Sequence, residues 1–224
     1  MTTLLLRSLV SLVLLCLGVL PSLAGETTFS AEDPTKLIKI IHPVWGDFGF
    51  TMVASKEWGK DTYKPDLKTV ETLEDSQGRM KRKVVCTAPS GETLTVVLDA
   101  SATGSGMELV STLESATPLP GSFHINLNVP IETASDLTVL ADGKPVTTNL
   151  DRGAIRKKPS EVSLVKTSTG LPILKITGDF GSVRTHFFND NPKLPLTVWF
   201  TPAEKTAEAA SPFAFPLHLE FVSP

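Results

Sequence analysis

Covalent cross-links are the first thing this chain does without. Its 224 residues contain two cysteines, Cys16 and Cys86. Cys16 falls in an N-terminal segment expected to be removed, and one remaining thiol cannot form an internal disulfide. Cys86 follows two valines in MKRKVVCTAP, with no histidine or helix start beside it to activate the thiol, so it reads as a small buried hydrophobe. Basic charge is also short, with 21 Lys and Arg against 24 Asp and Glu. The lysines are scattered apart from GRMKRK, residues 78–83, which argues against the clustered basic face that nucleic acid needs. That run reads as a solvated hairpin arm, with a small polyanion site as the sharper alternative.

Catalytic and metal signatures are missing as well. The four histidines, His42, His124, His186 and His218, show no HxH, HxxxH or HExxH spacing, so neither a metal site nor another cofactor is expected. HFFND (186–190) gathers His186, Asn189 and Asp190 at a strand end, where oxygen-rich side chains usually form Asx turns. There is no GxSxG elbow, and the glycines of SATGSGMEL (101–109) lack the Gly-Lys-Ser/Thr of a phosphate loop, leaving a flexible inter-strand loop. Glu71, Glu74 and Asp75 cluster before Gln77-Gly78 and read as a charged hairpin tip, since a turn denies a general acid the burial that shifts its pKa.

One long apolar run is present. MTTLLLRSLVSLVLLCLGVLPSLA (1–24) carries Arg7, an apolar core, Pro21 and the small-residue site Ser22-Leu23-Ala24, the build of a secretory signal cut after Ala24. Its core from Leu9 to Leu20 is about 12 residues, against about 20 needed to span a bilayer. The expected product is a secreted or periplasmic protein with no membrane span, a lead-in over 25–36 and a single domain over 37–224.

Strand patterns dominate that domain. ETLTVVLD (92–99), FHINLNV (123–129), DLTVLA (136–141), EVSLVK (161–166), ILKIT (173–177), VRTHFF (183–188), LTVWF (196–200) and FAFPLHLEF (213–221) alternate or are rich in β-branched residues. Asp142-Gly143 sits between two such runs and suits the left-handed conformations of a tight hairpin. The fold class is therefore all-β, a two-sheet antiparallel β-sandwich with little helix. AEDPTKLIKI (31–40) could hold a turn or two of helix, and PAEKTAEAASP (202–212) reads as an exposed, mobile connector because it lacks an apolar stripe. In the last strand Phe213, Phe215, Leu217, Leu219 and Phe221 form the core face. Pro216 cannot donate to a ladder, which puts the strand at a sheet edge or turns that amide away from its neighbour. In FHINLNVP the alternation leaves His124, Asn126 and Asn128 on the solvated side of a sheet.

Aromatics are few: one tyrosine and three tryptophans. Trp45, Trp58 and Tyr63 lie together in HPVWGDFGFTMVASKEWGKDTY (42–63), and exposed indoles on a sandwich are a physical means of holding sugar rings. These three are the candidate carbohydrate-binding residues, Trp58 foremost because charged and glycine residues flank it; Trp199 reads as a core plug. No catalytic residue is assigned.

Residues 104–147, GSGMELVSTLESATPLPGSFHINLNVPIETASDLTVLADGKPVT, resemble the supersandwich-type β-domains of exported bacterial glycan-processing proteins in their succession of strand, LPGSFHINLNVP strand and ADGKPV hairpin. The resemblance implies an accessory role and carries over no functional residue. The leading reading is a non-catalytic exported sandwich that binds a glycan or an envelope partner. A small polysaccharide hydrolase or lyase is the first alternative. A structural or chaperone-like envelope protein that pairs through a sheet edge is the second.

Overall fold

The computed structural model describes residues 28–30, 37–57, 59–76, 78–103, 106–148, 153–155, 158–187 and 195–222. The chain forms an all-antiparallel sandwich, and the alternation expected from the sequence decides which side chains face inward. Seventeen strands run in chain order: β1 (Thr28–Ser30), β2 (Ile38–His42), β3 (Gly46–Glu57), β4 (Lys60–Pro65), β5 (Glu71–Ser76), β6 (Arg79–Thr87), β7 (Thr93–Thr103), β8 (Gly106–Glu114), β9 (Ser122–Val129), β10 (Leu137–Ala141), β11 (Lys144–Thr148), β12 (Gly153–Ile155), β13 (Glu161–Lys166), β14 (Pro172–Gly178), β15 (Phe180–Phe187), β16 (Leu196–Pro202) and β17 (Phe213–Phe221). A short α-helical turn, α1 (Ile131–Ala134), follows β9, and two 3-10 turns, Leu67–Thr69 and Thr206–Glu208, lie in connections.

Two sheets result. The first has the order β1-β2-β3-β9-β16-β15-β12, and the second β5-β6-β7-β8-β17-β14-β13-β10-β11. Strand β4 belongs to both, pairing Tyr63 with Ala54 of β3 and, further on, Pro65 with Cys86 of β6. Between the sheets lies one apolar core, with Phe48, Phe50, Ile125, Leu127, Val198 and Phe200 from the first and Met80, Val96, Leu98, Leu109, Phe215 and Leu217 from the second. The two layers meet where Phe221 of β17 stacks on His42 of β2, ring centroids 4.5 Å apart. Cys86 is buried in this core, and burial pushes its thiol up to about 12, so it is protonated and unreactive.

Several sequence readings are confirmed and several are corrected. The Asp142-Gly143 hairpin joins β10 to β11 with both residues at positive φ, 46° and 71°, and the Asp142 carboxylate also accepts from the Ser160 and Glu161 amides. Alternation in β17 is complete, but the strand is interior, between β8 and β14. Pro216 is tolerated there because β14 reaches only as far as Leu217, opposite Gly178. The KLIKI segment is strand from Ile38 onward, since Ile38 and Ile40 alternate into the core. The 202–212 connector is anchored: Thr206 is buried and its hydroxyl donates to the Pro120 carbonyl. SATGSGMEL is mostly strand, with β7 running to Thr103 and β8 starting at Gly106. Glycine is required at 106 because a Cβ there would run into the Leu219 carbonyl of β17.

The basic run is split by the same alternation. Arg79 bonds Asp99 at 3.1 and 2.9 Å, and Lys83 faces Glu71 at 3.9 Å. Arg82 instead points inward and donates to the Leu37 carbonyl. Ser111 is another polar residue on an inward face, its buried hydroxyl without a hydrogen-bond partner among the described residues. Replacing it with alanine removes an unsatisfied group, so Ser111→Ala is expected to leave stability unchanged or raise it by up to about 1 kcal/mol. A thermal melt checks this, and a clear loss would show that the hydroxyl is bonded.

Candidate functional site

The tryptophans and tyrosine do not converge. Trp45 plugs one end of the sandwich at 6% exposure. Its indole Nε1 donates to the Val222 carbonyl, and the Lys166 ammonium lies 5.0 Å over its ring. Tyr63 is 2% exposed and its hydroxyl donates to Glu92, which also pairs with Lys56 at 2.7 Å. Neither ring has an open face for a sugar. Trp58 lies outside the described residues, as do Asn189 and Asp190.

The structure assembles a different group, on the outer face of the first sheet and centred on β9 and β16. Outward side chains of neighbouring strands line up there in register. Arg184 of β15 stands opposite Trp199 of β16, which stands opposite Asn126 of β9, which stands opposite Thr51 of β3. The next row runs His186, Thr197, Asn128 and Gly49. On the other side His124 pairs with Val53.

Trp199 is at the centre and is half-buried. The core position expected for it is overturned by alternation, because Val198 and Phe200 take the inward sites. His124 stacks on its indole at 4.4 Å and 15°, and His186 meets it edge-on at 4.3 Å and 89°. Two of the three residues expected to be wet are buried, His124 at 3% and Asn126 at 7% exposure, and Asn128 is half-buried. The bulk of Trp199, which sequence alternation alone does not position over a neighbouring strand, is what converts a solvated face into a packed one.

Burial first, and then the charges of His186 and Arg184, push His124 down to about 3, so its imidazole is neutral. Asn128 is fully engaged, donating to the Gly49 carbonyl at 3.2 Å and accepting from Thr197 at 3.2 Å. The Asn126 Oδ1, by contrast, is buried with no hydrogen-bond partner among the described residues. The arrangement offers an aromatic rim with neutral imidazole and amide groups, held by cross-strand packing.

Two recesses open elsewhere on the described surface. One of about 310 Å³ lies beside Glu161, Lys175 and His218 and one of about 280 Å³ beside Lys56, Tyr63 and Glu92, in the second of which Lys56 and Glu92 pair with each other at 2.7 Å. Among the described residues no group of three or more His, Cys, Asp or Glu could hold a metal ion. The outermost strands β1, β12 and β11 are three to five residues long, and β5 carries Glu71, Glu74 and Asp75, so these edges are short or charged in the manner that discourages pairing.

No family model matches the chain, and no curated protein does. Solved structures do. One is the Slr1438 protein of Synechocystis sp. PCC 6803, with a TM-score of 0.53 and 8% identity over 87% of this chain and 95% of that one. A putative aldose 1-epimerase of Escherichia coli K12 has a TM-score of 0.53 and 8% identity over 76% and 82%. A galactose mutarotase related enzyme of Lactobacillus acidophilus has a TM-score of 0.50 and 8% identity over 88% and 98%. The likeness spans most of each chain, well beyond residues 104–147, and at this identity it establishes a shared β-sandwich fold.

Proposed function

We propose that this protein is an exported carbohydrate-binding β-sandwich whose ligand sits on the outer face of the first sheet at Trp199. The carrying observation is the half-buried indole held between His124 and His186 beside Asn126. An apolar rim with hydrogen-bonding groups on either side suits a ring with C–H faces and hydroxyl edges. Two structural neighbours named for sugar chemistry, the aldose 1-epimerase and the mutarotase-related enzyme, support a saccharide as the ligand class. The glycan-processing resemblance and the N-terminal signal support export.

Binding is favoured over catalysis by magnitude. A general base works best with a pKa near the working pH; His124, at about 3, is far too weak a base. The test is calorimetric titration of the purified protein with a panel of neutral and acidic mono- and oligosaccharides, repeated with Trp199→Ala. At least tenfold weaker binding with a similar melting temperature is the expected result. Unchanged affinity would overturn the reading, and acceleration of anomer interconversion in a polarimeter would move it to catalysis.

A further inference from the structure

We infer that His42 is an acid-sensitive latch on the Trp45 end of the sandwich: a proton taken up at its Nδ1 opens the turn between β2 and β3 and releases the Trp45 indole from the core. The hydrogen bonds carry the inference. His42 and Gly46 are directly opposed across β2 and β3, which leaves Pro43, Val44 and Trp45 as a three-residue turn. Within it the His42 Nδ1 accepts from the Val44 amide at 3.2 Å and from the Trp45 amide at 3.1 Å. A ring nitrogen that accepts from two N–H groups carries no proton, so the neutral imidazole is the tautomer with its hydrogen on Nε2. A second proton can then go only to Nδ1. There it takes the lone pair that both amides use and sets an N–H against two N–H groups, so charging the ring and keeping the turn are mutually exclusive.

What the turn holds is the plug. Trp45 is buried, its Nε1 donating to the Val222 carbonyl just beyond β17 and its own carbonyl accepting from the Thr133 hydroxyl of α1. Because the His42 ring also stacks on Phe221 at 4.5 Å and 22°, one imidazole ties this turn to the last strand of the second sheet. The charged groups on the elements packed around it are Lys166, 5.0 Å over the Trp45 ring with Asp136 near it, Arg82 at the Leu37 end of β2, and the exposed Glu132 of α1. The Lys39–Asp47 pair and Glu220 lie on the outer faces of the two sheets. Among the described residues no carboxylate pairs with the ring to favour its charged form. Burial therefore holds its pKa below the usual 6.5, and the latch is closed at neutral pH and opens in acid.

The experiment follows the purified protein and His42→Asn by NMR between about pH 7.5 and about 4.5, the range in which histidine titrates. Asparagine can accept from the same amides, as in an Asx turn, but does not titrate there. Three results are expected in the unaltered protein: His42 ring nitrogen shifts of the Nε2–H tautomer at neutral pH, exchange protection of the Trp45 amide and indole falling about tenfold per pH unit below about 6.5, as one-proton linkage requires, and Leu109 and Leu217 amides at least tenfold better protected throughout, which marks the opening as local. In His42→Asn the Trp45 dependence on pH should vanish. An Nδ1–H tautomer, Trp45 protection that does not change with pH, or Trp45 protection equal to that of Leu109 and Leu217 would each overturn the inference from the unaltered protein alone, even if the variant does not fold. The same pH slope in a folded His42→Asn would overturn it too.

Discussion

Leu217→Ala is expected to lower the free energy of unfolding by about 2–5 kcal/mol, whereas His218→Ala changes it by less than about 0.5 kcal/mol. Leu217 is fully buried and packs tightly over Gly178, where a Cβ would come within 3.0 Å of its side chain. Its strand is held on both sides by β8 and β14, so the backbone can collapse little into the cavity left behind. That places the loss toward the upper part of the range. His218 is 61% exposed and 3.9 Å from Glu108, an exposed pairing of small value. Denaturant melts of the two variants decide the matter. Equal losses would mean that the outer face of β17 is packed rather than solvated.

Acid is the second large perturbation. His124 is held neutral down to about 3 in the folded protein, whereas in the unfolded chain it takes up a proton near 6.5. Between those values the unfolded state binds more protons, so stability falls as pH falls through this window. At about 1.4 kcal/mol per pH unit, going from neutral pH to about 4.5 removes about 2–3 kcal/mol. His42, lowered by burial, adds in the same direction. Asp99, Asp136 and Asp142 lie below their usual 3.8, so their contributions are lost mainly at still lower pH. Urea melts at the two pH values should show a much shallower loss in His124→Gln. An identical pH slope in that variant would mean that His124 is hydrated and titrates normally.

The legible part of the fold was the part written in alternation. Strand β17 and the β10–β11 hairpin follow from period-2 patterning and an Asp-Gly turn, because one face is buried and the turn needs positive φ. Strand β4 is not legible in the sequence, and β5 and β6 are legible only as the tip and arm of a solvated hairpin. KDTYKP and ETLEDS bury almost nothing, and RMKRKVVCT hides its alternation behind long cationic side chains of which Arg82 alone turns inward. The site was harder still. Its row of Arg184, Trp199 and Asn126 joins residues far apart in sequence through strand register, which local patterning does not reveal. The alternation of FHINLNVP correctly separated Ile125 and Leu127 from His124 and Asn126, but took the second face to be wet. A signal is present in LTVWFT (196–201), where Thr197, Trp199 and Thr201 share the face opposite Val198 and Phe200.

Strand β17 also governs when this protein can fold. It stands in the middle of its sheet, yet it comes after every other described strand in chain order. As the polypeptide leaves the ribosome, β8 and β14 therefore have no bridge between them until residues 213–221 have emerged, and the sheet remains in two unjoined halves. Until then the apolar faces of both halves are open to water and to chaperones, and contacts of such wide sequence separation form slowly. The chain is thus kept from closing its second sheet until residues 213–221 are available to it.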